Sequence, residues 1–267
     1  QRNEKLLLHP ASNLKLITSA AALKFLDDDF TFNTSIYYTG EIIDSVCTGN
    51  LFIVGGCDPD FSLEDLDTMV TGVMQAGINK INGNIYGDVN LLDSLYWGNG
   101  WMWDDEPYAD FPHLTPLTIN DACVKFIVEP AKVGEPVKIN AIPLSDFFTF
   151  SNKAVTANND SSTFEIKRDW LHGKNVFTAV GELPADETTD TLLRNVEKPY
   201  MFFLNIFKEK LIQRGIKFYG NLDTLTLPNN ANLIKTRSRA FDDVINNLNK
   251  QSDNLTAEMT LRALAFS

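Results

Sequence analysis

The stretch HPASNLKLITSAAALKFL, residues 9–26, sets Ser12 and Lys15 three positions apart at the entry to a helical pattern. Leu14, Ile17, Ala21 and Phe25 recur at helical spacing and share one face. Residues i and i+3 of a helix are neighbours, about 5–6 Å apart at Cβ, so the Ser12 hydroxyl and the Lys15 amine are expected to meet. A serine hydroxyl is a poor nucleophile until a base takes its proton. Lysine can be that base where desolvation or a second cation lowers its pKa. The first helical turn also offers unpaired N–H groups to a developing oxyanion. Ser19 has Ala22 at the same spacing and no such partner. Taken alone the pair is weak: about one S-x-x-K is expected by chance in a chain of this length, and serine is a favoured N-cap.

A second polar cluster stands far downstream in KQSDNLTAEMTLRAL, residues 250–264. Ser252-Asp253-Asn254 falls between two helical patterns, where short polar residues ordinarily make a turn or an N-cap. Its order relative to the first cluster carries the weight. S-x-x-K, S-D-N and K-T-G, in that order, are the active-site elements of penicillin-binding proteins and related β-lactamases. The first two occur here once each, in that order and 240 residues apart. The third is absent. KTRS at 235–238 precedes Ser252 and has Arg237 in place of glycine, and HGK at 172–174 is also out of order.

The chain has 267 residues, 44% hydrophobic and 22% charged, enough for a real core. A net charge of −12 argues against nucleic acid or an anionic membrane as the main partner. No apolar run reaches the length of a membrane span. Helical patterns cover 12–26, 62–77, 199–216 and 240–264, the last broken around 251–254. Between them, FTFNTSIYYTG, NLFIVGG, INGNIYGDVNLLD, CVKFIVEP, EPVKINAI and FEIKR read as strands. The acidic run 27–29 reads as a turn, because it opposes the dipole at a helix C-terminus. The opening RNEKLLL reads as half a hairpin, and MTLRALAFS stops inside a helical pattern, so a trimmed piece of a longer polypeptide is expected.

Beyond the two clusters, NLFIVGGCDPDFS (50–62), GNGWMWDDEPYADF (98–111) and RNVEKPYMFFLNIFKEKLIQRGIKFYG (194–220) resemble segments of the class C low-molecular-mass penicillin-binding proteins, the D-alanyl-D-alanine carboxypeptidase/endopeptidase family. The likeness runs over essentially the whole chain. It implies an α/β (α+β) fold: a transpeptidase/β-lactamase-like catalytic domain, here incomplete, interrupted by a β-rich insertion. The implied parts are 1–31 and 226–267 for the catalytic domain and 32–225 for the insertion, with the third element beyond residue 267. Ser12 would attack the penultimate D-alanine carbonyl and Lys15 take its proton. Ser252 would relay a proton to the leaving amine, and Asn254 would hold the substrate amide and orient Lys15. Asp105 or Asp104 would reach the free amino group of the peptidoglycan side chain; the plain alternative for these aspartates is as caps of a turn. By residue type, Trp101 and Trp103 are candidates to stack on a ligand, with core packing as their plain alternative. Thr115-Pro116-Leu117 departs from the family's Ser-Ala-Leu.

The resemblance further implies a serine-type carboxypeptidase, extended to D,D-endopeptidase, outside the cytoplasm, with β-lactams as covalent inhibitors. No cofactor or metal is called for, and a homo-oligomer is left open. A non-catalytic peptidoglycan-binding scaffold, or a serine esterase or β-lactamase of the same superfold, is the alternative. The 267-residue piece alone is expected to turn over poorly. His9, His113 and His172 lack metal spacing. DPDFSLEDLDTM (58–69) begins like a calcium loop but lacks its sixth-position glycine and twelfth-position glutamate. Cys47 and Cys57 flank a hairpin and leave a bridge open, although three free buried thiols, Cys123 included, are favoured.

Overall fold

The structure is a computed structural model that describes residues 5–27 and 29–266. The start of the expected opening hairpin and Asp28 of the acidic run lie outside the described residues. The N–H of Phe30 donates to Asp27 O at 3.0 Å. No described helix is long and apolar enough to cross a membrane.

The fold is α+β. A five-stranded sheet runs in the order 222–224, 85–88, 51–54, 31–38, 232–240. Strand 31–38 is antiparallel to both neighbours, and the remaining pairs are parallel. Its register with 232–240 runs from Thr31 opposite Ala240 to Tyr38 opposite Asn232. This pair joins the helices at the two chain ends to the β-rich block between them. Strand 232–240, NLIKTRSRA, contains the KTRS decoy and has no alternating apolar face.

Five α-helices are present among the described residues: α1 (Leu14–Phe25), α2 (Leu63–Gln75), α3 (Pro199–Gln213), α4 (Phe241–Gln251) and α5 (Asn254–Phe266). Ser62 caps α2 by accepting from the Asp65 N–H, and the Asp65 carboxylate accepts in return from Ser62 N. Pro199 opens α3 at a position where its missing N–H costs nothing. Helices α2 and α3 share the large core with the sheet: Leu66, Met69, Val73, Phe203 and Phe207 pack with Ile36 and Ile53. A second core joins α1, α4 and α5 through Ala22, Leu26, Val244, Leu255, Met259 and Ala263, with Phe32 and Cys57 from the sheet side.

Residues 123–195 form the outlying β block. Strand 123–129 lies between 190–195 and 138–142, all antiparallel, and 176–180 lies between 165–168 and 149–152. The three cysteines are free and buried. Gly56 shows why VGG is spelled as it is: a Cβ there would stand 1.9 Å from Asn33 O.

The apolar face expected of α1 is not the one that packs. Leu14, Ile17 and Phe25 are 54%, 67% and 68% exposed, whereas Ser19, Ala22 and Leu26 are buried. Within the helix the buried positions, Ser19 and Ala22, are small, which lets α4 and α5 approach closely. The Ser19 hydroxyl donates to Asn249 Oδ1 at 3.1 Å and ties α1 to α4.

Candidate active site

Ser12 sits in a 3₁₀ turn, Ala11–Asn13, that runs directly into α1. Ala11 ahead of it holds φ 46°, a left-handed conformation that costs energy for a residue with a Cβ. Lys15 lies in the first turn of α1, with Nζ 3.5 Å from Ser12 Oγ. That distance is long for a made hydrogen bond and short enough to close in a complex.

The Ser252-Asp253-Asn254 tripeptide is the hinge between α4 and α5. Ser252 ends α4 with φ 57°, a left-handed C-cap. The Asp253 carboxylate accepts from the Thr256 N–H at 2.6 Å, so it caps α5. Both ordinary roles of short polar residues are therefore filled. The turn they make also aims Ser252 at α1. Lys15 Nζ donates to Ser252 O and to Ser252 Oγ, the latter at 3.2 Å. One amine thus stands between two serine hydroxyls that are far apart in sequence.

Burial lowers the Lys15 pKa, and the charges of Asp253 and Asp110 oppose it; the net direction is down. An amine so placed gives up its proton more readily than a solvated lysine does.

The model of the D-Ala-D-Ala carboxypeptidase 3 (S13) family matches residues 1–267. The chain belongs to the S13 family. It is 31% identical over 274 residues to a D-alanyl-D-alanine carboxypeptidase of Actinomadura sp. (strain R39), covering 96% of this chain and 49% of that protein. It is 28% identical over 259 residues to D-alanyl-D-alanine carboxypeptidase DacB of Haemophilus influenzae, covering 96% and 54%. The crystal structure of penicillin binding protein 4 (dacB) from Haemophilus influenzae superposes with a TM-score of 0.82 at 25% identity, over 97% of this chain and 57% of that one. The chain spans about half the length of the curated relatives it matches.

In this S13 chain, no hydrogen bond joins Asn254 to Lys15 among the described residues. Asn254 Nδ2 donates to the main-chain carbonyl of Asp110 at 2.6 Å, which fixes the amide plane. Asp110 lies on the loop Glu106–His113, and that loop is pinned to the outlying β block. The N–H of Asn195 donates to Pro107 O at 3.1 Å, and its Nδ2 to Phe111 O at 2.9 Å. Asp110 and Asn195 escaped the sequence reading. The first contributes a carbonyl that any residue carries, and the second is a fully buried asparagine whose partners lie far away in sequence.

Asp105 accepts the Met102 N–H at 2.7 Å, the capped turn of the plain alternative, while Asp104 is exposed. Trp101 packs edge-on against Trp97 and Phe111, with centroids at 5.2 and 5.3 Å. Thr115 and Pro116 are buried, and Pro116 O accepts the Cys57 N–H at 3.0 Å. The acids of the calcium-like loop face cations of the chain itself: Arg239 Nε donates to Asp58 Oδ1 at 2.7 Å and Nη2 to Asp65 Oδ2 at 2.6 Å. His113, isolated in sequence, meets Glu106 and Glu197 in space.

Asp60 connects that loop to the site through Asn247 of α4, whose Nδ2 donates to Asp60 Oδ1 at 2.6 Å. Burial pushes the Asp60 carboxyl up to about 6, against Asn247 and Arg239 and with help from Asp58 and Asp253. A carboxyl with a raised folded pKa loses stability for the fold as pH rises, here between about 4 and 6. Asp60→Asn keeps the acceptor for Asn247 and removes the charge. It is expected to stabilise by about 1–2 kcal/mol at pH 7 and to have little effect near pH 4. Urea unfolding at the two pH values checks this, and equal effects at both would contradict it.

Proposed function

We propose that the protein is a serine-type D-Ala-D-Ala carboxypeptidase that acts on peptidoglycan stem peptides through an acyl-enzyme on Ser12. The observation that carries the reading is the position of Lys15 Nζ, 3.5 Å from Ser12 Oγ and 3.2 Å from Ser252 Oγ. Ser12 Oγ attacks the penultimate D-alanine carbonyl while Lys15 Nζ takes the hydroxyl proton. The N–H of Ser12, in a first turn where such groups lack helical partners, faces the developing oxyanion. Ser252 Oγ passes the proton to the departing D-alanine nitrogen. Water then releases the acyl group by the reverse proton path. Asn254, held by Asp110, presents its Oδ1 to a substrate N–H. With Asp105 occupied as a cap, Asp104 is the carboxylate left to meet a side-chain ammonium. Asp110 and Asp253 add to the acidic field that draws such a group.

Several properties follow from the reading. A β-lactam carbonyl offers the same electrophile and acylates the same oxygen. The Haemophilus penicillin binding protein 4 has been solved with a β-lactam. Peptidoglycan as substrate places the protein outside the cytoplasm. Residues 1–31 and 226–267 are read as parts of one catalytic unit with 32–225 inserted, supported by the single core that α1, α4 and α5 share.

Labelling of the full-length protein with a fluorescent penicillin, followed by tryptic mass mapping, tests the proposal. The adduct is expected on Leu6–Lys15, the peptide that contains Ser12. Labelling confined to other peptides, or none, would overturn the assignment.

A further inference from the structure

A cavity of about 470 Å³ is lined in part by Glu106 and His113, the two ends of the loop that carries Asp110. Three of the four tryptophans of the chain line it, Trp97, Trp103 and Trp170, together with Tyr96. Trp103 and Trp170 come from distant segments and lie ring against ring, with centroids at 5.1 Å and planes 39° apart. Trp103 is nevertheless 70% exposed, so its indole is spent on surface and not on core. The polar wall is Glu106, His113 and Glu197. Behind it, Arg168 is buried, with Nη2 2.9 Å from Glu106 Oε2 and Nη1 3.8 Å from Glu197 Oε2. The buried guanidinium thus stands as a counter-charge behind both carboxylates.

The chemistry of the lining narrows the occupant. Ionised carboxylates only accept hydrogen bonds, so the ligand must bring donors. The indole faces call for an apolar face on the same ligand. A divalent cation is a rival, because Glu106, His113 and Glu197 each offer a donor atom within 4.8 Å of the others. Yet the Arg168 cation already sits on the two carboxylates, and His113 is hydrogen-bonded to Glu106. The same guanidinium weakens the pull on an ammonium ligand. A sugar ring remains, with a C–H face for the indoles and hydroxyl and amide donors for the carboxylates.

We propose that this cavity is a sugar-binding subsite, in which an N-acetylhexosamine ring of a glycan stacks on Trp103 and Trp170 and donates hydrogen bonds to Glu106 and Glu197. The choice of an N-acetylated sugar rests on the peptidoglycan reading of the neighbouring site. The loop Glu106–His113 then serves both sites: its two ends line the sugar cavity, and Asp110 within it gives its carbonyl to Asn254.

The test is titration of the full-length protein with chitotetraose, followed by tryptophan fluorescence and calorimetry, with zinc chloride and butylammonium chloride as separate probes. Saturable chitotetraose binding with a fluorescence shift is expected. Trp103→Ala and Trp170→Ala should each weaken it by about tenfold or more, and Trp103→Phe, which keeps a ring, by distinctly less. Ser12→Ala should bind the sugar unchanged. Absence of saturable binding, binding indifferent to both tryptophans, or tighter binding of zinc or butylammonium overturns the inference. Penicillin labelling of Ser12 without sugar binding sinks this inference alone; sugar binding without labelling sinks the acyl-enzyme reading alone.

Discussion

Exchange of Lys15 for arginine is expected to slow penicillin acylation of Ser12 by about 10²–10⁴ while the protein stays folded. Arginine retains the positive charge and can still donate to the carbonyl and hydroxyl of Ser252, the two partners of Lys15 Nζ in the site. It cannot release a proton near neutral pH. The substitution therefore separates a lysine that serves as base from one that merely bridges two helices. Ser12→Ala should abolish the covalent adduct outright, since no oxygen is left to acylate. Stopped-flow labelling gives the rates, and thermal unfolding of each variant reports on the fold. If the arginine variant acylates within a few-fold of the parent, another group removes the Ser12 proton.

The pH dependence gives a second handle on the same residue. Burial depresses the Lys15 pKa, and the Asp253 and Asp110 charges partly restore it. A base works in its neutral form, so acylation rises with pH through the Lys15 pKa. Asp110→Asn removes one of the restoring charges and leaves the main-chain carbonyl that holds Asn254. The acidic limb of the rate profile should therefore move to lower pH. An unmoved limb, with the rate intact, would detach Asp110 from the electrostatics of Lys15.

What the sequence disclosed here depends on range. The helices were legible because their punctuation is local: Ser62 with Asp65 opens α2, and Gly77 and Gly215 follow α2 and α3 at φ 80° and 85°. Strand 232–240 was not, because its polar residues are explained only by partners across space. Arg237 and Arg239 point at Asp58 of the loop leading into α2 and at Asp65 in its first turn. That Ser12, Lys15 and Ser252 meet in space was legible, since order and spacing survive in one dimension. The carbonyl of Asp110, the buried Asn195 and the meeting of His113 with Glu106 were not, because no side-chain type announces them. The bare face of α1 was misjudged for a related reason. Periodicity marks apolar stripes, and α1 has more than one, so composition alone does not say which stripe meets α4 and α5.

Arg239→Ala is expected to destabilise the fold by about 3–5 kcal/mol, the range for removing one partner of a buried ion pair. Arg239 joins the end of strand 232–240 to Asp58, Asp65 and the carbonyl of Asp60. Asp58 is 1% exposed, and its Oδ2 already lacks a partner, so loss of the guanidinium leaves a buried carboxylate with no cation on it. Burial raises the Asp58 pKa, and Arg239 is the main influence that limits the rise. Without that cation the folded protein binds a proton that the unfolded chain releases above about pH 4. Asp65 shifts in the same sense, because its pKa is lowered partly by Arg239. The deficit should therefore be largest at neutral pH and shrink towards pH 4, where the carboxyls protonate. Asp58→Asn in the Arg239→Ala background should recover part of the loss, since asparagine keeps the acceptor for the Asp60 N–H at 3.1 Å and carries no charge. Calorimetric unfolding of the single and double variants at pH 4.5 and 7.5 measures both effects. A deficit independent of pH, or no rescue by Asp58→Asn, would mean that Arg239 acts through packing of its stem and not through the charges it neutralises.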